Sequence, residues 1–133
     1  MGRTRTPTAA GIVLDTGALI ALERGDKRMI ALLQRALAQG RDFRVPAGVV
    51  GQAWRNGRLQ VTLGRFLRSE EVEIVPLDEQ LARACGELCG AASVPDVIDA
   101  SVVILARVRQ DLIVTSDPGD LRRLDPAAQI IAL

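Results

Sequence analysis

The sequence predicts an α/β fold, a three-layer α/β/α sandwich on a mainly parallel central sheet of four to five strands, and three observations predict it. Short β-branched runs alternate with helical stretches along the chain, and such βα units close on a parallel sheet covered on both faces. The core must be aliphatic, since 48% of residues are apolar but only 2% aromatic, a mixture that suits helices laid on buried strands. No internal repeat or low-complexity segment interrupts the pattern. At 133 residues a single domain over 11–133 is expected, which would bury roughly two thirds of its unfolded surface without disulfides or a structural metal.

The elements follow in order. Gly11 to Leu14 is a short, fully apolar strand that stops at Asp15. Ala18 to Arg24 is a short helix broken at Gly25. Asp26 caps a second helix, in which Met29, Ile30, Leu32, Leu33, Ala36 and Leu37 recur at helical spacing until Gly40. Phe43 to Val45, ahead of Pro46, is the second strand. Ala47 to Arg55 and Leu59 to Arg68 are helical pieces parted at Asn56 and Gly57. Val72 to Val75 is the third strand, and Asp78 caps a helix with Leu81, Ala84, Cys85, Leu88 and Cys89 on one face. After a loop at Ser93 to Pro95, a helix opens at Asp96 and runs to about Val108. Leu112 to Thr115 is the fourth strand, Leu121 to Leu124 a short helix, and Gln129 to Leu133 a terminal strand.

Composition narrows the chemistry. Seventeen basic and sixteen acidic residues give a formal charge of +1, so any polyanion site is local rather than a matter of bulk charge. There is no His, which removes the usual general base and the usual zinc ligand and leaves metal chemistry to carboxylates. Cys85 and Cys89 lie four apart on a helix, near the upper distance limit for a disulfide, and read as reduced core thiols in a cytoplasmic protein. No apolar run approaches the ~18 residues of a membrane span, so no membrane partner is expected. Residues 1–10 read as a disordered basic tail; Met1, Gly2 and Thr6 match the loose myristoylation pattern, but Arg3, Arg5 and Pro7 argue for a plain tail.

In a parallel sheet the binding crevice lies outside the carboxyl ends of the strands. Asp15 follows GIVL and Asp117 follows LIVTS, so both sit at that edge. Asp96 and Asp99 begin the helix that leads into the fourth strand, three apart and on roughly one face. Each also has a plain structural reading: Asp15 and Asp96 as helix N-caps, Asp117 with Pro118 as a turn pair. Asp99 is harder to dismiss, because an acid one turn into an otherwise apolar helix is expected to be partly buried, and a buried carboxylate needs a partner. Crowded carboxylates raise one another's pKa unless a cation neutralises them. Oxygen-only ligands favour Mg²⁺ or Mn²⁺, which activate water at a phosphodiester.

IVLDTGALIAL at 12–22, VPAGVVGQAWR at 45–55, and DVIDASVVILA followed by LIVTSDPGDL together resemble PIN domains over almost the whole chain. More narrowly, the sequence is similar to VapC-type toxins, small bacterial ribonucleases restrained by a cognate antitoxin. The resemblance implies a metal-dependent endoribonuclease acting on structured or translation-related RNA. It puts the family's first, third and fourth acids on Asp15, Asp99 and Asp117, with Asp96 as a further acid and Thr16 and Ser116 as hydrogen-bond donors behind them. The family's second acid, a Glu, aligns with Gln52, whose neutral amide would hold Mg²⁺ less firmly, so Gln52→Glu is expected to tighten metal binding. The resemblance also implies a homodimer, for which the helices before Gly40 and after Ala47 are candidate surfaces; a bound antitoxin helix could use the same region.

Arg55 and Arg58 are candidate phosphate contacts, as are Arg65, Arg68, Arg107, Arg109, Arg122 and Arg123, although charged helix positions are usually solvated. Trp54, two residues from Gln52, is expected to point away from the site. Three rival readings stand beside this one. Asp15-Thr16-Gly17 spells the DTG of retroviral-type aspartic proteases, which the helical periodicity contradicts. A haloacid dehalogenase phosphatase would want a second Asp where Gly17 stands. The third is a catalytically impaired PIN-like module that only binds an antitoxin or RNA.

Overall fold

The computed structural model describes residues 10–133. The expected basic tail therefore lies outside the described residues except for Ala10, whose carbonyl accepts a hydrogen bond from Arg41. Five strands form one sheet: β1 (Ile12–Leu14), β2 (Phe43–Pro46), β3 (Val72–Val75), β4 (Leu112–Thr115) and β5 (Ile130–Ala132). Their order is β3-β2-β1-β4-β5 and every pairing is parallel. The expected mainly parallel sheet is thus wholly parallel, with seven helices among the described residues, α1 (Thr16–Glu23), α2 (Lys27–Ala38), α3 (Ala47–Ala53), α4 (Val61–Leu67), α5 (Glu79–Ala92), α6 (Val97–Arg109) and α7 (Pro118–Leu124).

β1 is apolar throughout because both its faces are covered: Ile12, Val13 and Leu14 are all buried, with no room for a polar alternation. α6 packs across β1, β2 and β4, with α5 and α7 against it, while α1 meets α2, α3 and α4. Strand order reverses between β1 and β4, where Leu14 sits beside Val114. That reversal point opens a crevice at the carboxyl edge.

The helix ends follow local chemistry. Asp26 Oδ1 accepts from the Met29 N–H at 2.9 Å, and Asp78 Oδ1 accepts from the Leu81 N–H at 2.8 Å, the two caps expected. Gly25 (φ 71°) and Gly40 (φ 74°) close the turns after α1 and α2 in the left-handed region that favours glycine. Four boundaries differ from expectation by two residues or more. α1 begins at Thr16 rather than Ala18, directly after its Asp15 cap. α3 stops at Ala53 rather than Arg55, because the Gln60 side chain takes the Arg55 and Asn56 N–H groups. The same residue delays α4 to Val61 from the expected Leu59. α7 begins at Pro118 rather than Leu121, since a proline preset near helical φ is well placed at a first helical position.

Candidate functional site

Asp15 leaves the end of β1 and is only 7% exposed. Its plain structural reading is met: Oδ1 accepts from the Ala18 N–H at 2.9 Å and caps α1. The other oxygen, Oδ2, accepts from the Thr115 hydroxyl. Thr115 Oγ1 in turn accepts from the Asp117 N–H at 2.9 Å. One buried hydroxyl therefore joins the acid after β1 to the acid after β4. Burial pushes the Asp15 carboxyl above its usual range, and the nearby Asp117 adds to the rise, while the hydrogen bonds from Thr115 and Ala18 oppose it.

Asp117 is exposed, and its side chain makes no cap bond to α7. Asp96 does cap its helix, accepting from the Asp99 N–H at 3.0 Å. Asp99 is half-buried in the first turn of α6. Its pKa is pushed up to about 7, first by burial and then by the charges of Asp96, Asp15, Asp120 and Asp117. The carboxylates at 15, 96 and 117 are thus each within electrostatic reach of Asp99. Among the described residues none of the four is in an ion pair. Nor do three acids or thiols, as their side chains stand, draw close enough to grip a single ion.

Gln52, on α3, reaches this edge through its Oε1, which accepts from the Thr16 hydroxyl. The pair Thr16 and Gln52 is therefore one unit beside Asp15. Ser116 is exposed, and the hydroxyl that reaches Asp15 belongs to Thr115, one residue earlier. Ser116 instead crowds Gly17, where a Cβ would overlap its Oγ. Arg55 Nη1 donates to the Gly51 and Trp54 carbonyls at 2.9 and 2.8 Å, which ties off the end of α3. Arg58 lies in the exposed α3–α4 connection, where its N–H donates to Asn56. Trp54 rests against Gly57 and Gly64.

Three residues escaped sequence reasoning. Thr115 reads as an ordinary strand residue until its hydroxyl is seen between two acids. Asp120 stands three after Asp117 in the first turn of α7, a spacing that puts both on one side; it also pairs with Arg123 at 3.6 Å. Cys89, read from sequence only as a core thiol, lies within electrostatic reach of the first turn of α6: its pKa is raised by burial and then by the charges of Asp96 and Asp99. Both cysteines are free thiols, Cys85 buried and Cys89 half-buried.

The PIN domain model matches residues 12–126. No curated protein matches the chain by sequence. Among solved structures, the VapBC2 complex of Rickettsia felis bound to a DNA fragment from its promoter is similar at TM-score 0.69 and 16% identity, covering 92% of this chain and 98% of that one. VapC20 of Mycobacterium tuberculosis, described as a sarcin-ricin loop cleaving toxin, is similar at TM-score 0.64 and 18% identity, covering 83% and 92%. The FitAcB structure from Neisseria gonorrhoeae gives TM-score 0.62 and 20% identity, covering 90% and 96%.

Proposed function

The chain belongs to the PIN domain family, and from that premise we propose that it is a metal-dependent endoribonuclease, the VapC-type toxin of a toxin-antitoxin pair. The observation that carries this reading is Asp99, a half-buried acid raised to about 7 by burial first and then by four surrounding carboxylates at the reversal point of the sheet. A site so arranged favours a hard dication, and its donors are all oxygens, which fits Mg²⁺ or Mn²⁺. Asp15, Asp99 and Asp117 would hold the ion, with Asp96 as a further acid. When bound, it supplies an activated water and charge stabilisation at the phosphodiester.

The chain's own residues do the rest. The Ala18 N–H and the Thr115 hydroxyl fix the Asp15 carboxylate in one orientation. Thr115 also holds the Asp117 backbone, so the two strand-end acids keep a set spacing. With its pKa raised to about 7, the Asp99 carboxyl is partly protonated near neutral pH, and a bound dication would displace that proton.

The decisive assay is RNA cleavage in Mn²⁺ by the wild-type chain and by Asp99→Asn. The mutant should lose cleavage by at least about a hundredfold, a size typical of removing a general acid–base or charge-stabilising group. Cleavage that persists unchanged in Asp99→Asn would defeat the assignment of the site. A second reading, a PIN-like module that binds antitoxin or RNA without turnover, is favoured by one observation: Gln52 stands where the family has an acid, and its oxygen is already taken by Thr16. Absence of cleavage by the wild type, with RNA or antitoxin binding retained, would support it.

We further propose a cognate antitoxin partner, a homodimer and a cytoplasmic location. VapBC complexes among the similar structures support the first, and the part-exposed Ile30 and Leu37 on α2 offer apolar surface for the second. For the third, no single helix among the described residues is long and apolar enough to cross a membrane.

A further inference from the structure

A groove of about 500 Å³ opens beside the acid crevice, between α1 and the α3–α4 connection. Ile20 and Arg24 line one side, and Gln52, Arg55 and Leu59 line the other. Glu23 is the single acid among its lining residues. The groove begins next to the crevice because Gln52 is bonded to Thr16, the residue after Asp15.

Gln52 is the telling side chain. Its Oε1 is taken by the Thr16 hydroxyl, and none of the described hydrogen bonds uses its Nε2. An amide held by its oxygen presents two N–H donors. Beneath it, Gln60 is fully committed: Oε1 accepts from the Arg55 and Asn56 N–H groups at 2.7 and 2.8 Å, and Nε2 donates to the Ala53 carbonyl at 2.9 Å. The floor is therefore rigid. Arg55 is anchored through Nη1 alone, which leaves further guanidinium donors for a ligand. Ile20 and the 79% exposed Leu59 give the groove its aliphatic lining.

We propose that this groove is the subsite for an unstacked nucleotide of single-stranded RNA adjoining the scissile phosphate, with Gln52 serving as a hydrogen-bond donor to its base rather than as a metal ligand. The proposal rests on the ribonuclease reading above. A volume of about 500 Å³ lies within the roughly 300–1,000 Å³ of small-ligand sites. Two guanidiniums against one carboxylate suit phosphate oxygens, and the free amide N–H groups suit base carbonyls. Stacking on an aromatic ring is not on offer, because Trp54 rests against Gly57 and Gly64, and Phe43 and Phe66 pack edge to face. Recognition would pass through the amide donor and the aliphatic lining, so a base-edge preference is expected where aromatic stacking would be tolerant of sequence.

The test uses the full chain and three variants, Gln52→Met, Arg24→Ala and Leu59→Ser, each checked for folding by thermal melting. A short fluorescein-labelled oligouridine is titrated in Ca²⁺, with the RNA verified intact, and Mn²⁺ affinity is measured in parallel by calorimetry. Gln52→Met and Leu59→Ser should each weaken RNA binding about threefold to tenfold, the size of one hydrogen bond or one base contact. Arg24→Ala should lower the salt slope by about 0.7, the value for one phosphate contact on a single strand. Mn²⁺ affinity should not change in any of the three. Unchanged RNA affinity in all three variants overturns the proposal, including the case in which the groove captures a polypeptide instead. A fall in Mn²⁺ affinity in Gln52→Met also overturns it, by returning Gln52 to the metal site. A wild-type chain that binds neither Mn²⁺ nor RNA defeats the ribonuclease reading and the groove together, whereas wild-type binding matched by the variants defeats the groove alone.

Discussion

Asp15 shows how one residue can satisfy two readings at once. It caps α1 through one oxygen and meets Thr115 with the other, so a structural cap and a candidate ligand are the same side chain. Thr115→Val keeps the shape and removes the hydroxyl. It should destabilise the fold by about 1–3 kcal/mol, the penalty for leaving a buried acceptor unmatched, and weaken Mn²⁺ binding, as calorimetry and urea melts can report. Asp99 gives a pH prediction of definite sign. Its folded pKa is raised from 3.8 to about 7, so between those values the native state holds more protons than the unfolded chain, and stability falls as pH rises. In EDTA the urea midpoint should therefore drop from pH 5 to pH 8 in the wild type and drop less in Asp99→Asn. The chain has no His to add a titration of its own in that window. Mn²⁺ should recover the lost stability at pH 8 in the wild type only. At Gln52 a carboxylate would add the charge the site lacks, so Gln52→Glu should tighten Mn²⁺ binding; equal or weaker affinity by calorimetry would count against its facing the acids.

At the scale of elements, the site is a meeting of helix starts and strand ends. α1 approaches the β4–α7 turn so closely that a Cβ on Gly17 would overlap Ser116 Oγ. α3 and α6 meet in the same way, with Gly48 against Ile98. These contacts bring Asp15 toward Asp117, and Gln52 toward the helix that carries Asp99. Gly17→Ala should force the turn outward, costing about 1–3 kcal/mol as overpacking does, and should weaken Mn²⁺ binding. Ser116→Gly in the same chain clears the space, so the double variant should regain much of the affinity. A double variant no better than Gly17→Ala would mean that the crowding does not set the spacing of the acids.

The whole molecule keeps its two sheet edges apart. The acids lie at the carboxyl edge, while Arg44 is buried within β2, bonded to the Leu105 carbonyl at 3.1 Å and standing 3.8 Å from Asp111 at the opposite edge. Burial lowers the Arg44 pKa, and Arg109 lowers it further, while Glu73 and Asp111 oppose the shift. Arg44→Met would leave Asp111 as a buried charge without its cation, a loss of about 3–5 kcal/mol when one partner of a buried pair is removed. Urea melts should register that loss, while the Mn²⁺ affinity of the folded fraction stays as in the wild type. A parallel fall in affinity would mean that the two edges are coupled through the sheet.

Much of this protein was legible from its sequence, because period and punctuation are local. Apolar β-branched runs such as Ile12 to Leu14, helical spacing from Met29 to Leu37, and caps at Asp26 and Asp78 are set by neighbours within a few residues. The same logic placed Asp15 and Asp117 at strand ends and Asp99 on an apolar helix. What only the tertiary structure decided are relations across long separations. Thr115 meets Asp15 from 100 residues away, and Thr16 meets Gln52 from 36 away. Gln60 ends α3 early, and Asp120 joins the charges around Asp99, through contacts that no periodicity encodes. The sequence thus determined which acids reach the edge of the sheet. Parallel packing of β1 beside β4 decided that Thr115 links Asp15 to the Asp117 backbone there, and the approach of α3 to α1 that the amide of Gln52 turns its oxygen to Thr16.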